Sequence, residues 1–302
     1  MCIRDSKSTY ISLKDSSVVT TGNNSAGTAV SARAMMKVEN STVSTTGDSS
    51  PAIMIADGGG ILIADGGSFT TSGAMSQGIY SKGDVTVTNA SVNALNAKAA
   101  VLKGNNTITL SGTILEGKET ADTIPYNIVL FSDEKDIGTM GTQHFDVRGG
   151  SLISHKGGMF YVTATHGKIS LNGTAITMDD PAANLITVAG NDGANGWGTP
   201  GRNGGHVELV ADNQVLTGNI SVDSISNINM TLKNNSTFNG MISIVPNTEG
   251  GEKYKTNADV FIAAGSTWNL TGNSTLTSLY NLGTINYNGY TITLADGTVM
   301  KA

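Results

Sequence analysis

Two acidic runs hold the residue types most able to do chemistry in this chain: Asp133, Glu134, Lys135 and Asp136 in one, Asp179 and Asp180 in the other. Carboxylates gathered on one face could hold calcium, and a Lys or Arg beside them could act as the base of a polysaccharide-cleaving reaction. The same residues serve equally well as solvated corners, because runs of charge usually face water. Three histidines, His144, His155 and His166, recur every 11 residues. That spacing is neither the i, i+4 pairing of a helical metal site nor one full period of the repeat described below, so they are expected on different faces without a shared metal. No G-x-S-x-G elbow and no H-E-x-x-H helix occurs. The glycine run after Asp57 lacks the tandem nonapeptide period of calcium-binding rolls. No catalytic residue, metal ligand or cofactor is assigned on this basis; calcium is the one ion the acidic runs would suit, and nothing in their spacing requires it.

Recognition has a better foothold. Trp197 stands among glycines in NGWGTPGRNGG, with Asn195, Arg202 and Asn203 close by. A flat aromatic ring flanked by planar polar groups suits stacking on a sugar while amides take its hydroxyls. The alternative is that Trp197 folds back to cover the side of the molecule, as loop aromatics often do. Gly196, Gly198 and Gly201 also make a formal G-x-G-x-x-G match. The dinucleotide fingerprint needs a helix after it, and Pro200 followed by RNGG is incompatible with one.

These residues must be positioned by a repeat. ISLKDSSVVTTG at 11–22, MKVENSTVSTTG at 36–47, ILIADGGSFTTSG at 61–73, DVTVTNASVNAL at 84–95 and NTITLSGTILEG at 106–117 share one pattern, and later segments continue it. An inward anchor recurs as Val18, Val43, Phe69, Val92, Leu115, Leu152, Ile176, Val215, Phe238 and Trp268. A basic unit of about two dozen residues with occasional insertions marks a solenoid. Before each anchor sits Asp15, Asn40, Asp65, Asn89, Gly112, Gly149, Gly173 or Asn234, residue types that tolerate the left-handed backbone of a sharp corner. Alternation such as Val85 and Val87 has the period of two that a strand gives. A third strand follows in each unit: AVSA, AIMIA, GIYS, AAVLK, NIVLFS, GMFYVT and NLITVA. The reading is all-β: a right-handed parallel β-helix of about eleven turns, three short strands per turn, roughly 50 Å long at about 4.8 Å per turn. Residues 1–7 fit no repeat and read as a leader not native to the fold; residues 8–302 read as a single solenoid domain, a fragment of a longer exported protein. The insertions 132–143, 191–205 and 246–258 each follow a third strand and precede a first one, so they are expected along one edge of the rod.

Composition fits a thin, many-cornered rod. Charged residues are 14% of the chain, well below the ~25% of an ordinary domain, and glycine supplies 38 of 302 positions. A net charge of −6 with no basic stripe excludes nucleic acid as a partner. No apolar run approaches the ~20 residues of a transmembrane helix. Cys2 is the single cysteine, and it lies in the leader, which permits export without proving it. Sequons such as those at Asn40 and Asn89 arise by composition in a chain this rich in Asn, Ser and Thr.

The stretch from 259 to 297, DVFIAAGSTWNLTGNSTLTSLYNLGTINYNGYTITLADG, resembles the closing turns of passenger domains in pertactin-like autotransporters and related surface adhesins. Ser266, Thr267, Trp268, Asn269, Thr271, Gly272, Asn273, Ser274, Ser278 and Leu279 carry the likeness. The resemblance implies export to the extracellular space or the bacterial cell surface and brings no catalytic residue. The leading expectation is a non-enzymatic, adhesin-like monomeric rod that binds a polysaccharide or host-surface ligand through loops on one edge. A pectate-lyase-like enzyme that degrades polysaccharide, resting on fold analogy alone, and a purely structural stalk are the alternatives.

Overall fold

The computed structural model describes residues 9–122, 125–132, 141–191, 199–250, 253 and 255–302. Every regular element among them is a β-strand. No helix is long and apolar enough to cross a membrane, a statement that leaves strand-built spans aside.

The strands climb in sets of three and form a parallel β-helix. The first strands of successive turns are Tyr10–Lys14, the front halves of Met35–Thr45 and Ile61–Thr71, then Asp84–Thr88, Thr107–Ser111, Thr142–Arg148, His166–Asn172, His206–Asp212, Asn227–Lys233, Ala258–Ile262 and Ser278–Asn281. Each pairs in parallel with the next, which defines turns one to eleven. The second face begins with Ser17–Thr20 and the back halves of the two long strands. It continues through Ser91–Ala94, Ile114–Gly117, Ser151–Ser154 and Ala175–Met178 to Val215–Thr217, Thr237–Gly240, Thr267–Leu270 and Thr284–Asn286. Because the two long strands pass unbroken round a corner, the first face and the second face as far as Ala175–Met178 share one 16-stranded sheet, while Val215–Thr217 to Thr284–Asn286 form a separate four-stranded sheet. The third face is a nine-stranded sheet that runs from Thr28–Val30 to Ile242–Val245. Seven of its strands coincide with the third strands read from sequence.

Period-two alternation turns every second side chain inward, and parallel register stacks like on like. Val38, Ala64, Val87, Leu110, Val147, Leu171, Ala211, Leu232 and Ile262 form one such column behind the first face. Val18, Val43, Phe69, Val92, Leu115, Leu152 and Ile176 form another behind the second. That column resumes as Leu216, Phe238 and Trp268. Trp268 is fully buried, its ring 5.6 Å from that of Phe238 and its indole N–H donating to the Gly240 carbonyl at 2.9 Å.

Two expectations are corrected by one residue each, and Asn234, left-handed at φ 54°, shares its corner with Asn235 at φ 62°. Val215 is not the anchor of turn eight: it is 58% exposed, and Leu216 points in. Asp65 is not the corner of turn three; it pairs with Glu39, and Gly66, at φ 69°, takes the corner. A simple rule replaces both. A left-handed residue opens the second face at Asp15, Asn40, Gly66, Asn89, Gly112, Gly149, Gly173, Asn213, Asn235 and Gly265, and the residue three places later is the inward anchor every time. The residue immediately after the corner also faces inward, and where it is polar it ties turns together. Thr174 N–H donates to Gln214 Oε1 at 2.8 Å, Gln214 N–H to Ser236 Oγ at 3.0 Å and Ser236 N–H to Ser266 Oγ at 3.2 Å. Corner amides that the strand ladders leave unpaired are thereby satisfied inside the rod.

The three inserted segments join Tyr126–Phe131 to Thr142–Arg148, Ile186–Val188 to His206–Asp212, and Ile242–Val245 to Ala258–Ile262. All leave the third face and enter the first, so they share one edge of the helix, as their placement in sequence implies.

Candidate functional site

Although charge is scarce in this chain, turns six to nine concentrate it on the outside of the first face. Parallel register sets it in three columns. His144, Lys168, Glu208 and Asn229 form the first, nearest the edge with the insertions; Asp146, Ser170, Val210 and Thr231 form the second; Arg148, Asn172, Asp212 and Lys233 form the third. The outer columns carry long side chains and the middle one mostly short ones. The result is a trough of about 510 Å³ along the rod axis, with Ser170 and Val210 on its floor and Lys168, Glu208, Arg148, Asp212 and Lys233 on its walls.

Most of that charge is internally matched. Lys168 Nζ lies 2.9 Å from Glu208 Oε1, and Lys233 Nζ lies 3.3 Å from Asp212 Oδ2. A hydrogen bond from Asn234 Nδ2, with Lys233 beside it, holds the Asp212 carboxyl below its ordinary range. Asp212 therefore stays ionised as an acceptor and is unsuited to donate a proton. Among the described residues Arg148 enters no ion pair. Its exposed guanidinium offers forked donors to a carboxylate or to neighbouring hydroxyls.

The residues singled out from sequence fall in several places. Trp197 and Asn195 lie outside the described residues, as do Asp133, Glu134, Lys135 and Asp136. Arg202 is exposed, and its main chain closes the base of the loop by accepting from Asn191 N–H at 2.9 Å. Asn203 is only 6% exposed, in a left-handed conformation at φ 59°, with its carbonyl accepting from Ala164 N–H at 3.0 Å. Asp180 holds its own turn through Ala182 N–H at 3.0 Å.

Asp179 has a partner the sequence did not suggest. His155 sits between it and Glu116, Nδ1 at 2.8 Å from Asp179 Oδ2 and Nε2 at 2.6 Å from Glu116 Oε1, linking turns five, six and seven at the second-to-third corner. The expectation that the three histidines occupy different faces is corrected for two of them. His144 and His166 both lie in first-face strands, because the two are separated by nearly one full turn, Thr142 standing in register with His166. His166 stacks instead on His206, ring centroids 4.7 Å apart. Burial, and then the neighbouring His166 charge, push the His206 imidazole below its ordinary value. Among the described residues no three His, Cys, Asp or Glu side chains converge at metal-ligand spacing.

The trough itself was not visible in sequence. Lys168 and Glu208 are 40 positions apart with an insertion between them, so only the register of the folded strands brings them together. Comparison with protein-family models, curated proteins and solved structures finds no match for this chain.

Proposed function

We propose that this protein is an extracellular or bacterial cell-surface β-helix that binds a polysaccharide chain without cleaving it, in the manner of an adhesin. The observation that carries the reading is the axial trough on turns six to nine. Lys168 with Glu208 and Lys233 with Asp212 are paired in place, its floor is short, and Arg148 is left to donate. A rigid groove lined by polar groups at a fixed repeat suits an extended polyhydroxylated polymer, whose rings present hydroxyls at comparable intervals. The inserted segments enter the first face beside the His144–Lys168–Glu208 column, where loops on a rigid scaffold can add contacts. The likeness of 259–297 to autotransporter passenger domains supports export and a surface location.

The test is a glycan-array screen, with and without calcium, of the wild type, Arg148→Ala and Trp197→Ala. Binding weakened about tenfold or more by Arg148→Ala is the expected result, since losing a charge-assisted hydrogen bond is worth about 1.5–3 kcal/mol. Loss only in Trp197→Ala would move recognition from the trough to the loop edge. An array with no binding at all would leave a structural stalk, and calcium-dependent release of unsaturated oligosaccharides would replace the proposal with a lyase.

A further inference from the structure

Buried polar atoms without a partner are few in this protein, and they cluster. Of seven such side-chain atoms among the described residues, five belong to Gln143, Thr163, Asn191 and Asn203. All four residues lie at the third-to-first corner, on three successive levels. Gln143 follows the connection from turn five to six, Thr163 opens the connection from six to seven, and Asn191 and Asn203 flank the connection from seven to eight. Backbone contacts hold these levels against one another. Thr163 is in register with Phe131, whose carbonyl accepts from Gln143 Nε2 at 2.6 Å. Ala164 N–H donates to the Asn203 carbonyl at 3.0 Å, and Asn191 N–H to that of Arg202 at 2.9 Å. Levels in a parallel stack are about 4.8 Å apart, so the cluster spans roughly 10 Å along the axis.

The chemistry of the unpaired atoms defines what would satisfy them. Gln143 Oε1 can only accept, Asn203 Nδ2 can only donate, the Thr163 hydroxyl can do both, and Asn191 lacks partners on both its oxygen and its nitrogen. Turning the Asn191 amide over would not help, since both ends are unpaired. A metal ion would be repelled by the amide N–H groups, and an anion by the amide oxygens. The buried carboxylate nearby, Asp223, already accepts from Gly190 N–H at 2.8 Å, Asn247 Nδ2 at 2.7 Å and Ile225 N–H at 3.2 Å. Water is the small molecule that donates and accepts at once, and buried waters typically take two to four such partners.

We infer that a short file of internal water molecules occupies the third-to-first corner of turns five to eight, bound by Gln143 Oε1, the Thr163 hydroxyl and the side-chain amides of Asn191 and Asn203. The file hydrates the wall from which the inserted loops depart, and it does not depend on what the trough binds. Leaving all five atoms dry would forfeit their hydration with nothing in return, a larger penalty than the immobilisation of a few waters.

Thr163→Val tests this with little change of shape. A hydrated corner loses one partner for its water, so the variant melts below wild type. A dry corner loses an unpaired buried hydroxyl, so the variant melts at or above wild type, and that result overturns the inference. A crystal structure at a resolution that shows ordered solvent supplies the second reading. Solvent peaks within hydrogen-bonding distance of Gln143 Oε1, Thr163 Oγ1 and the Asn191 amide are expected, with one fewer in Thr163→Val. Empty density there, or pairing of these atoms with loop side chains, overturns it independently of the melting result.

Discussion

His155 has a carboxylate oxygen at each ring nitrogen, and only the imidazolium can donate to both. The hydrogen bond to Asp179, then the one to Glu116, raise its ionisation above the ordinary histidine value. Its stabilising contribution is therefore complete below the unfolded value of about 6.5 and is lost as pH climbs through the raised folded value. His206 behaves oppositely: with its value lowered, its contribution is present above about 6.5 and lost as pH falls through the depressed value. Urea unfolding across this range should show His155→Gln removing a loss of stability toward high pH and His206→Gln removing a loss toward low pH. Slopes that move in the same direction in both variants would contradict the assignment. Valine supplies a second contrast at single positions. Val92 is fully buried between Phe69 and Leu115, so Val92→Asp buries an unpaired charge and should cost about 3–5 kcal/mol. Val215 is exposed, and Val215→Asp should stay within about 0.5 kcal/mol in the same measurement. Period-two alternation made Val92 legible as core. Val215 was misread because VADNQVL offers two adjacent apolar candidates, and only counting three from the left-handed Asn213 selects Leu216.

At the scale of elements, the corners decide how the faces meet. Ser236 accepts from Gln214 N–H at 3.0 Å in the interior, while its hydroxyl reaches the part-buried Lys233 carbonyl at 2.6 Å. Ser236→Ala leaves the Gln214 amide unpaired, and an orphaned buried donor costs about 1–3 kcal/mol. Urea unfolding of Ser236→Ala beside Thr237→Ala, whose side chain faces outward on the next position, should show the loss in the first only; equal effects would mean the inner ladder contributes nothing. The identity of these elements was readable, since short apolar runs between Asx and Gly corners recur at a nearly fixed interval. Which charged residues would share a face was not. His144 and Lys168 stand one ordinary turn apart, but Glu208 joins their column only because His166–Asn172 pairs with His206–Asp212 residue for residue, and the insertion before residue 206 hides that register from any count along the chain. Period reveals a strand, whereas a trough built across four strands depends on where each begins.

As a whole molecule, a solenoid makes contacts chiefly between neighbouring turns, so its terminal strands are its exposed templates for pairing. The separate three-stranded sheet of Ser274–Leu276, Ile292–Leu294 and Val299–Met300 meets this with a reversal of direction: after Ile292–Leu294 the chain turns back, and Val299–Met300 pairs antiparallel with it, Met300 against Ile292 and Val299 against Thr293. Every other strand pairing in the described residues is parallel, so this one contact departs from the rule of the fold at the place where a further parallel rung would dock. Deleting residues 295–302 would uncover the edge of Ile292–Leu294 while leaving the pairing of Ser274–Leu276 with Ile292–Leu294 in place. Without those residues the protein should associate more strongly with rising concentration in sedimentation velocity than with them. High salt should strengthen the effect by screening the net charge of −6 that keeps copies apart. Identical sedimentation of the two forms at every concentration and salt would show that Val299–Met300 does not shield the edge. Association driven by an open β edge should also be suppressed by Leu294→Pro in the truncated chain, because the Leu294 N–H, which otherwise donates to the Thr298 carbonyl at 2.9 Å, is an amide that an incoming strand would need.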